Sequence, residues 1–198
     1  MERNFVYFTI SIFDDCDFNS FSEIVYQIKK EAIETKKIGI YTKLYDFKEY
    51  LNPPSGGHHF PAFSFWKNKK YPNKVFFISN YEDGLFTLCN IIHKQLYGNL
   101  IMCSMSNESC ASNPAYRFYF SDSTFSERNI LVIKDEKWIF YESGTPLSIE
   151  NTNYYKKRLI KNRLNNAIIE EYLFNLGIDL WNICNSIDAS KTYIQKEW

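Results

Sequence analysis

Two adjacent histidines lie in residues 52–61, NPPSGGHHFP, and their side chains are the first in the chain with obvious chemical potential. Imidazoles on a glycine-rich loop can coordinate a metal ion or transfer protons. Because His58 and His59 are neighbours, an extended chain would point them to opposite sides. The third histidine, His93, has no acidic or histidine partner four residues later. The pattern therefore predicts no metal or cofactor site and favours a structural or incidental role.

Paired carboxylates, which serve in acid–base catalysis and cation binding, occur at Asp14-Asp15, Asp135-Glu136 and Glu170-Glu171. Neighbouring acids rarely converge on one point, and the second pair is typical of a solvated hairpin turn. A different arrangement follows the first predicted strand, where four acids would form a compact negative surface: Asp14, Asp15, Asp17 and Glu23. We predict that a basic partner protein docks on this surface.

A cationic stretch near the C-terminus contains Lys156, Lys157, Arg158, Lys161 and Arg163. The patterning predicts one helix over residues 154–176, which places these cations in its N-terminal half and Glu170-Glu171 in its C-terminal half. That polarity opposes the helix dipole and costs about 0.3–1 kcal/mol for each exposed charge. One interpretation is that the cations pair with acids such as Glu142 or Glu150.

The alternative interpretation of the cationic stretch is functional. Lys157, Arg158 and Lys161 would then contact an anion, a nucleic acid or an acidic protein along one helix face. Both interpretations assume that residues 154–163 are helical.

Composition limits the class of protein. Lysine plus arginine equals aspartate plus glutamate at 23 each, so total charge indicates no general attraction to nucleic acid. The aromatic fraction of 18% suits a packed sheet and also suits protein interfaces. The N-terminal apolar run is followed by acids without a small-residue cleavage site, and no segment is apolar enough to span a membrane. We expect one globular domain over residues 1–198 in the cytoplasm.

The five cysteines also indicate a reducing compartment. An odd number cannot pair completely, and the spacings match no zinc module. Cys89 and Cys184 lie among apolar residues, and we expect them to be small side chains of the core. We predict free thiols.

Strand-type patterning appears near residues 5–13, 60–79 and 99–149, with short polar links between the later strands. Helical spacing appears over residues 20–36, 84–97 and 154–176, and a further helical piece is predicted over 178–187. Gly98 and Gly177 follow the second and third of these helices in the position of a left-handed cap. These patterns predict an α+β fold with a largely antiparallel meander sheet packed against about three amphipathic helices.

The segments WIFYESGTPLSIE and YYKKRLIKNRLNN, together with the chain's size and its aromatic, Asn/Lys-rich composition, give a resemblance to immunity proteins. These are small cytoplasmic proteins encoded beside bacterial polymorphic and contact-dependent growth-inhibition toxins. The resemblance implies a non-catalytic protein that binds one cognate toxin domain, commonly a nuclease, and blocks its activity. It carries over no functional residue.

A second hypothesis comes from another class of protein. An enzyme or regulator could act on nucleic acid or a phosphorylated metabolite through the basic helix and the Gly-Gly-His-His loop. That hypothesis requires His58 or His59 to converge with Arg158 and an acid in one groove.

Overall fold

The structure, a computed structural model, describes residues 5–44 and 59–197. Within these ranges the chain has an α+β fold, which confirms the predicted class. The strands are β1 (Tyr7–Asp14), β2 (Ile38–Tyr41), β3 (Ala62–Asn68), β4 (Tyr71–Ser79), β5 (Asn99–Ser106), β6 (Ala115–Ser121), β7 (Glu127–Lys134), β8 (Trp138–Ser143) and β9 (Ile187–Gln195). The α-helices are α1 (Phe18–Glu34), α2 (Phe86–His93) and α3 (Asn166–Asn175).

The nine described strands form one sheet in the order β2-β9-β3-β4-β1-β5-β6-β7-β8. Every neighbouring pair is antiparallel. Strands β5 to β8 form the predicted meander, and β3 and β4 form the hairpin expected within residues 60–79. The first strand lies at the centre of the sheet, between β4 and β5.

The C-terminal strand β9 differs from the prediction. The helical piece predicted over residues 178–187 is wrong, because this segment contains only a 3₁₀ turn over Leu180–Asn182 before β9 begins at Ile187. Strand β9 inserts between β2 and β3, where the Tyr193 and Phe63 rings stack with centroids 5.0 Å apart. This pairing with a distant segment outweighs the weak local preference. Most of the predicted loop over residues 52–61 lies outside the described residues.

The predicted helices over residues 20–36 and 84–97 correspond to α1 and the shorter α2. Gly98 does not adopt the left-handed conformation predicted for it. Its role is steric instead, because a Cβ atom there would lie 1.8 Å from the Asp14 carbonyl oxygen. Gly177 does have a positive φ of 76°, as predicted, and its N–H donates to the Phe174 carbonyl at 2.8 Å.

The prediction of one helix over residues 154–176 is wrong in its first half. Residues 154–165 form two 3₁₀ turns, Tyr154–Lys156 and Ile160–Asn162, and the backbone between them is extended at Lys157 and Leu159. The α-helix begins only after Asn165, whose side chain accepts from the Ile168 N–H. The interrupted path buries both Tyr155 and Leu164 against the sheet. Tertiary burial therefore overrides helical spacing.

Each face of the sheet has its own apolar core. Face A is the face covered by α1 and α2, and its strand residues include Phe13, Phe65, Phe77 and Tyr193. Face B is covered by α3 and the turns on either side of it, and its strand residues include Ile10, Trp66, Phe118 and Ile130. None of the helices in the described ranges combines the length and apolarity that a membrane span needs.

Candidate protein-binding surface

The four predicted acids lie where β1 leads into α1, and two of them have structural roles. Asp14 forms an ion pair with Lys74 of the neighbouring strand β4. Asp17 caps α1, because its carboxylate accepts from the Ser20 N–H at 2.8 Å. That hydrogen bond is the main reason why the pKa of Asp17 lies below its usual value. Asp14 and Asp17 therefore serve the fold.

The other two acids of this group are not buried. Asp15 is exposed and adopts a left-handed φ of 52° in the turn after β1. Glu23 is also exposed, and its carboxylate accepts from the Gln27 amide at 2.7 Å along the surface of α1. Both side chains remain available to a partner, and the acidic surface remains a prediction.

The predicted cations do not lie on an α-helix. Their charges therefore do not oppose an α-helix dipole. Lys157 Nζ lies 4.3 Å from the centroid of the Tyr154 ring. Lys161 Nζ lies 4.0 Å from a Glu108 carboxylate oxygen, and Arg158 is exposed. The structure places all three on the irregular segment that precedes α3. Their role as partner contacts also remains a prediction.

The acids suggested as partners for these cations are bound to another residue. Arg128 of β7 donates from Nη2 to Glu142 at 2.7 Å and to Glu150 at 2.8 Å. Tyr155 donates its hydroxyl proton to the same Glu150 carboxylate at 2.6 Å. Through these hydrogen bonds to Glu150, the network holds the segment after β8 against face B. Its position in the core makes it structural.

Of the three histidines, the structure describes His59 and His93. His58 lies outside the described residues. His59 Nε2 is 3.0 Å from the Asn80 carbonyl oxygen, and its ring lies 4.3 Å from that of Tyr81. His93 is buried, with Nε2 3.1 Å from the Gly98 carbonyl oxygen. Burial is the main reason why the pKa of His93 is lowered. No group of three potential metal ligands occurs within residues 5–44 and 59–197.

A surface that the sequence interpretation missed lies on face A at the edge of the sheet. The bare face, as we call it, consists of Leu131 and Ile133 of β7 with Ile139 and Tyr141 of β8. Strand pairing places Leu131 opposite Tyr141 and Ile133 opposite Ile139, so the four side chains are contiguous. None of them belongs to either apolar core. Ile139 and Tyr141 are 45% and 51% exposed.

The segment Ile130 to Ile133 carried a signal for this surface. Four consecutive apolar residues are typical of a strand buried on both faces. Face B is indeed filled by Ile130 and Val132, which are completely buried. On face A, however, helix α2 packs on β6, where Phe86 lies edge-on against Tyr119 at 5.1 Å, and neither Leu131 nor Ile133 belongs to the core on this face. The apolar run therefore has one covered side and one uncovered side.

A cleft of about 480 Å³ adjoins the bare face and shares Leu131 and Ile133 with it. Polar side chains of the central strands also line it, including Thr9, whose hydroxyl donates to the Glu82 carbonyl at 2.6 Å. The carboxylates of Glu82 and Asp83 stand at its rim and are exposed. Neither forms an ion pair with a described residue.

Arg117 is the one cation that lines this cleft in the described part of the chain. Its guanidinium lies 4.2 Å from the Phe86 ring centroid and 5.1 Å from that of Tyr119. Its Nε donates to Asn129 at 2.9 Å. Burial lowers its pKa, while the charge of Asp83 is among the influences that act in the opposite direction. These contacts fix the guanidinium against the wall of the cleft.

Comparison of the chain with protein-family models, with curated proteins and with solved structures found no match.

Proposed function

We propose that this chain is an immunity protein that binds a cognate bacterial toxin domain and neutralises it without catalysing a reaction. The observation that supports this proposal best is the bare face. Contiguous exposed apolar side chains on a rigid sheet are characteristic of a surface that another protein covers. The protein would act by occupying a surface that the toxin needs.

The composition of the bare face suits a binding role. Tyr141 offers a large ring with a polar end, the kind of side chain that often anchors an interface. Ile139 lies beside it on the same strand and extends the apolar area. Because both side chains project from a sheet held by face B and the Arg128 network, little ordering is needed on binding. A preorganised surface of this kind favours tight association.

Charged residues outside the bare face fit the same role as flanking contacts. Asp15 and Glu23 are exposed on one side of the molecule, and Lys157, Arg158 and Lys161 lie on the segment before α3. Charges at the rim of an interface mainly increase the association rate and exclude wrong partners. We therefore expect charge reversal at these positions to change the association rate more than the dissociation rate.

Co-expression tests the proposal directly. The product of the gene adjacent to this one is expressed in bacteria alone, together with this chain, and together with an Ile139→Ser/Tyr141→Ser variant. We expect the neighbour to inhibit growth when alone, and the wild-type chain to restore growth and co-purify with it. A neighbour that is harmless, or equally toxic in the presence of the wild-type chain, would contradict the immunity function.

A catalytic role is tested on the isolated chain. Purified protein is incubated with RNA, DNA and nucleotides, and the products are analysed. We expect no turnover. If the wild-type chain converts a substrate and His59→Ala abolishes that activity, the enzyme hypothesis is correct and the immunity function is wrong.

A further inference from the structure

We propose that the partner presents a cationic side chain, flanked by apolar residues, to the bare face and its adjoining cleft. This inference rests on the proposed function and specifies the chemistry of the surface recognised. The partner's cation would enter the cleft, and its apolar neighbours would cover Ile139 and Tyr141.

The strand register aligns the side chains of the bare face with those that line the cleft. Across β6, β7 and β8, one row on face A runs through Ala115, Ile133 and Ile139. The next row runs through Arg117, Leu131 and Tyr141. Apolar surface therefore extends from the outer strand to the mouth of the cleft. A partner that covers β8 with apolar side chains must also cover the cleft.

Three ionic residues line the cleft: Glu82, Asp83 and Arg117. The Arg117 guanidinium lies against the Phe86 and Tyr119 rings, and its Nε donates to Asn129. The carboxylates of Glu82 and Asp83 are exposed and form no ion pair with any residue in the described ranges. Two carboxylates and one cation give the lining of the cleft a net negative charge, which complements a positive group.

The form of the cleft favours a lysine or arginine side chain. Leu131 and Ile133 provide apolar contact for a long aliphatic stem, while the rim carboxylates face its charged head. Thr9 and Ser104 add hydroxyl groups to the lining. A carboxylate from the partner would instead meet two negative charges at the entrance. A basic partner surface is therefore the occupant that the cleft selects.

The main experiment measures affinity for the purified neighbouring toxin domain. A Glu82→Gln/Asp83→Asn variant removes the rim charges. The Asp83 carboxylate accepts from the Leu85 N–H at 3.0 Å, and the amide oxygen of the asparagine side chain can accept that hydrogen bond in its place. The matched control is Glu31→Gln/Asp135→Asn, which neutralises exposed acids elsewhere. We expect the rim variant to raise Kd about tenfold or more at low ionic strength and the control to leave Kd unchanged.

The apolar contribution has its own pair of variants. Ile139→Ser/Tyr141→Ser should also weaken binding about tenfold or more. Its control is Tyr97→Ser/Phe174→Ser, which replaces aromatic side chains that are still more exposed but lie outside the bare face. Thermal unfolding of each variant verifies that the fold is intact. If either test variant binds like wild type, the inferred contact is wrong although the immunity function stands.

A second measurement does not depend on the toxin. A random peptide library is selected on the wild-type chain and counter-selected on a variant that combines the rim and Tyr141 substitutions. We expect the enriched peptides to combine lysine or arginine with apolar residues. Enrichment of acidic peptides, or equal peptide binding by the wild-type chain and the variant, would overturn the inference. This outcome does not depend on whether the toxin partnership is confirmed.

Discussion

Arg128 and Glu150 form a buried ion pair in which Nε and Nη2 of the guanidinium both donate to the Glu150 carboxylate, at distances of 2.8–3.2 Å. The two side chains are 2% and 0% exposed. Glu142 and the backbone carbonyl of Ser143 also accept hydrogen bonds from the guanidinium. The pair connects β7 to the segment after β8, and thereby fixes the outer strands that carry the bare face.

Replacing one member of this pair should be strongly destabilising. Arg128→Met leaves the Glu150 carboxylate buried without its main partner, which typically costs about 3–5 kcal/mol. Urea unfolding followed by circular dichroism measures the loss. The control is Lys30→Met, which breaks an exposed pair with Glu34 and should cost about 0.5 kcal/mol or less. Equal effects of the two substitutions would show that the buried pair is unimportant.

Removal of a single hydroxyl tests the same network at smaller scale. Tyr155 donates to Glu150 at 2.6 Å and lies 2.8 Å from the Tyr172 hydroxyl oxygen. We expect Tyr155→Phe to reduce the free energy of unfolding by about 1–3 kcal/mol, since it removes the hydrogen bond to Glu150 and leaves the buried Tyr172 hydroxyl without the oxygen to which it donates. Tyr154→Phe serves as control because Tyr154 bonds Glu171 at a more exposed site. A larger loss for the control would contradict this account.

Stability should depend on pH through His93. Its folded-state pKa is lowered, mainly by burial, although the charges of Asp122 and Glu127 act in the opposite direction. The unfolded chain therefore binds more protons below about pH 6.5. The free energy of unfolding should fall as the pH drops through that value. Denaturant unfolding between about pH 7 and pH 5 should show a shallower slope for His93→Gln than for wild type. An unchanged slope would contradict the assignment.

The five cysteines should differ in reactivity. All are free thiols in the structure, and Cys110 is the exposed one. Burial raises the pKa of Cys16, Cys89 and Cys184 to about 12, and burial also raises the pKa of Cys103. A thiol reagent at mildly alkaline pH should label Cys110 quickly and the other cysteines slowly. Denatured protein purified without reductant should react at all five positions. Fewer reactive thiols would argue against a reducing compartment.

Two glycines should respond differently to alanine substitution. At Gly98 a Cβ atom would lie 1.8 Å from the Asp14 carbonyl oxygen, so Gly98→Ala must displace the backbone of β1 or β5. At Gly177 a Cβ atom meets nothing within 4 Å, and only the positive φ is unfavourable. We expect losses of about 3 kcal/mol or more for Gly98→Ala and about 1–2 kcal/mol for Gly177→Ala in urea unfolding. The reverse order would contradict this reasoning.

The amino-acid sequence by itself determined the local elements. Alternating and continuous apolar runs joined by short polar links specified β5 to β8, because hairpin connections favour antiparallel neighbours. The helical spacing over residues 20–36 specified α1, although the helix begins two residues earlier than predicted and Asp17 caps it. The α+β class follows from these elements alone.

Tertiary structure decided the rest. Strand β9 forms because it fits between β2 and β3, and its partners on β3 lie more than a hundred residues earlier in the chain. Residues 154–165 leave the helical path because Tyr155 and Leu164 must both reach face B. The bare face lies outside the core that α1 and α2 cover on face A. Alternation along a strand tells which side chains share a face, but only the packing of the whole chain decides which face is covered.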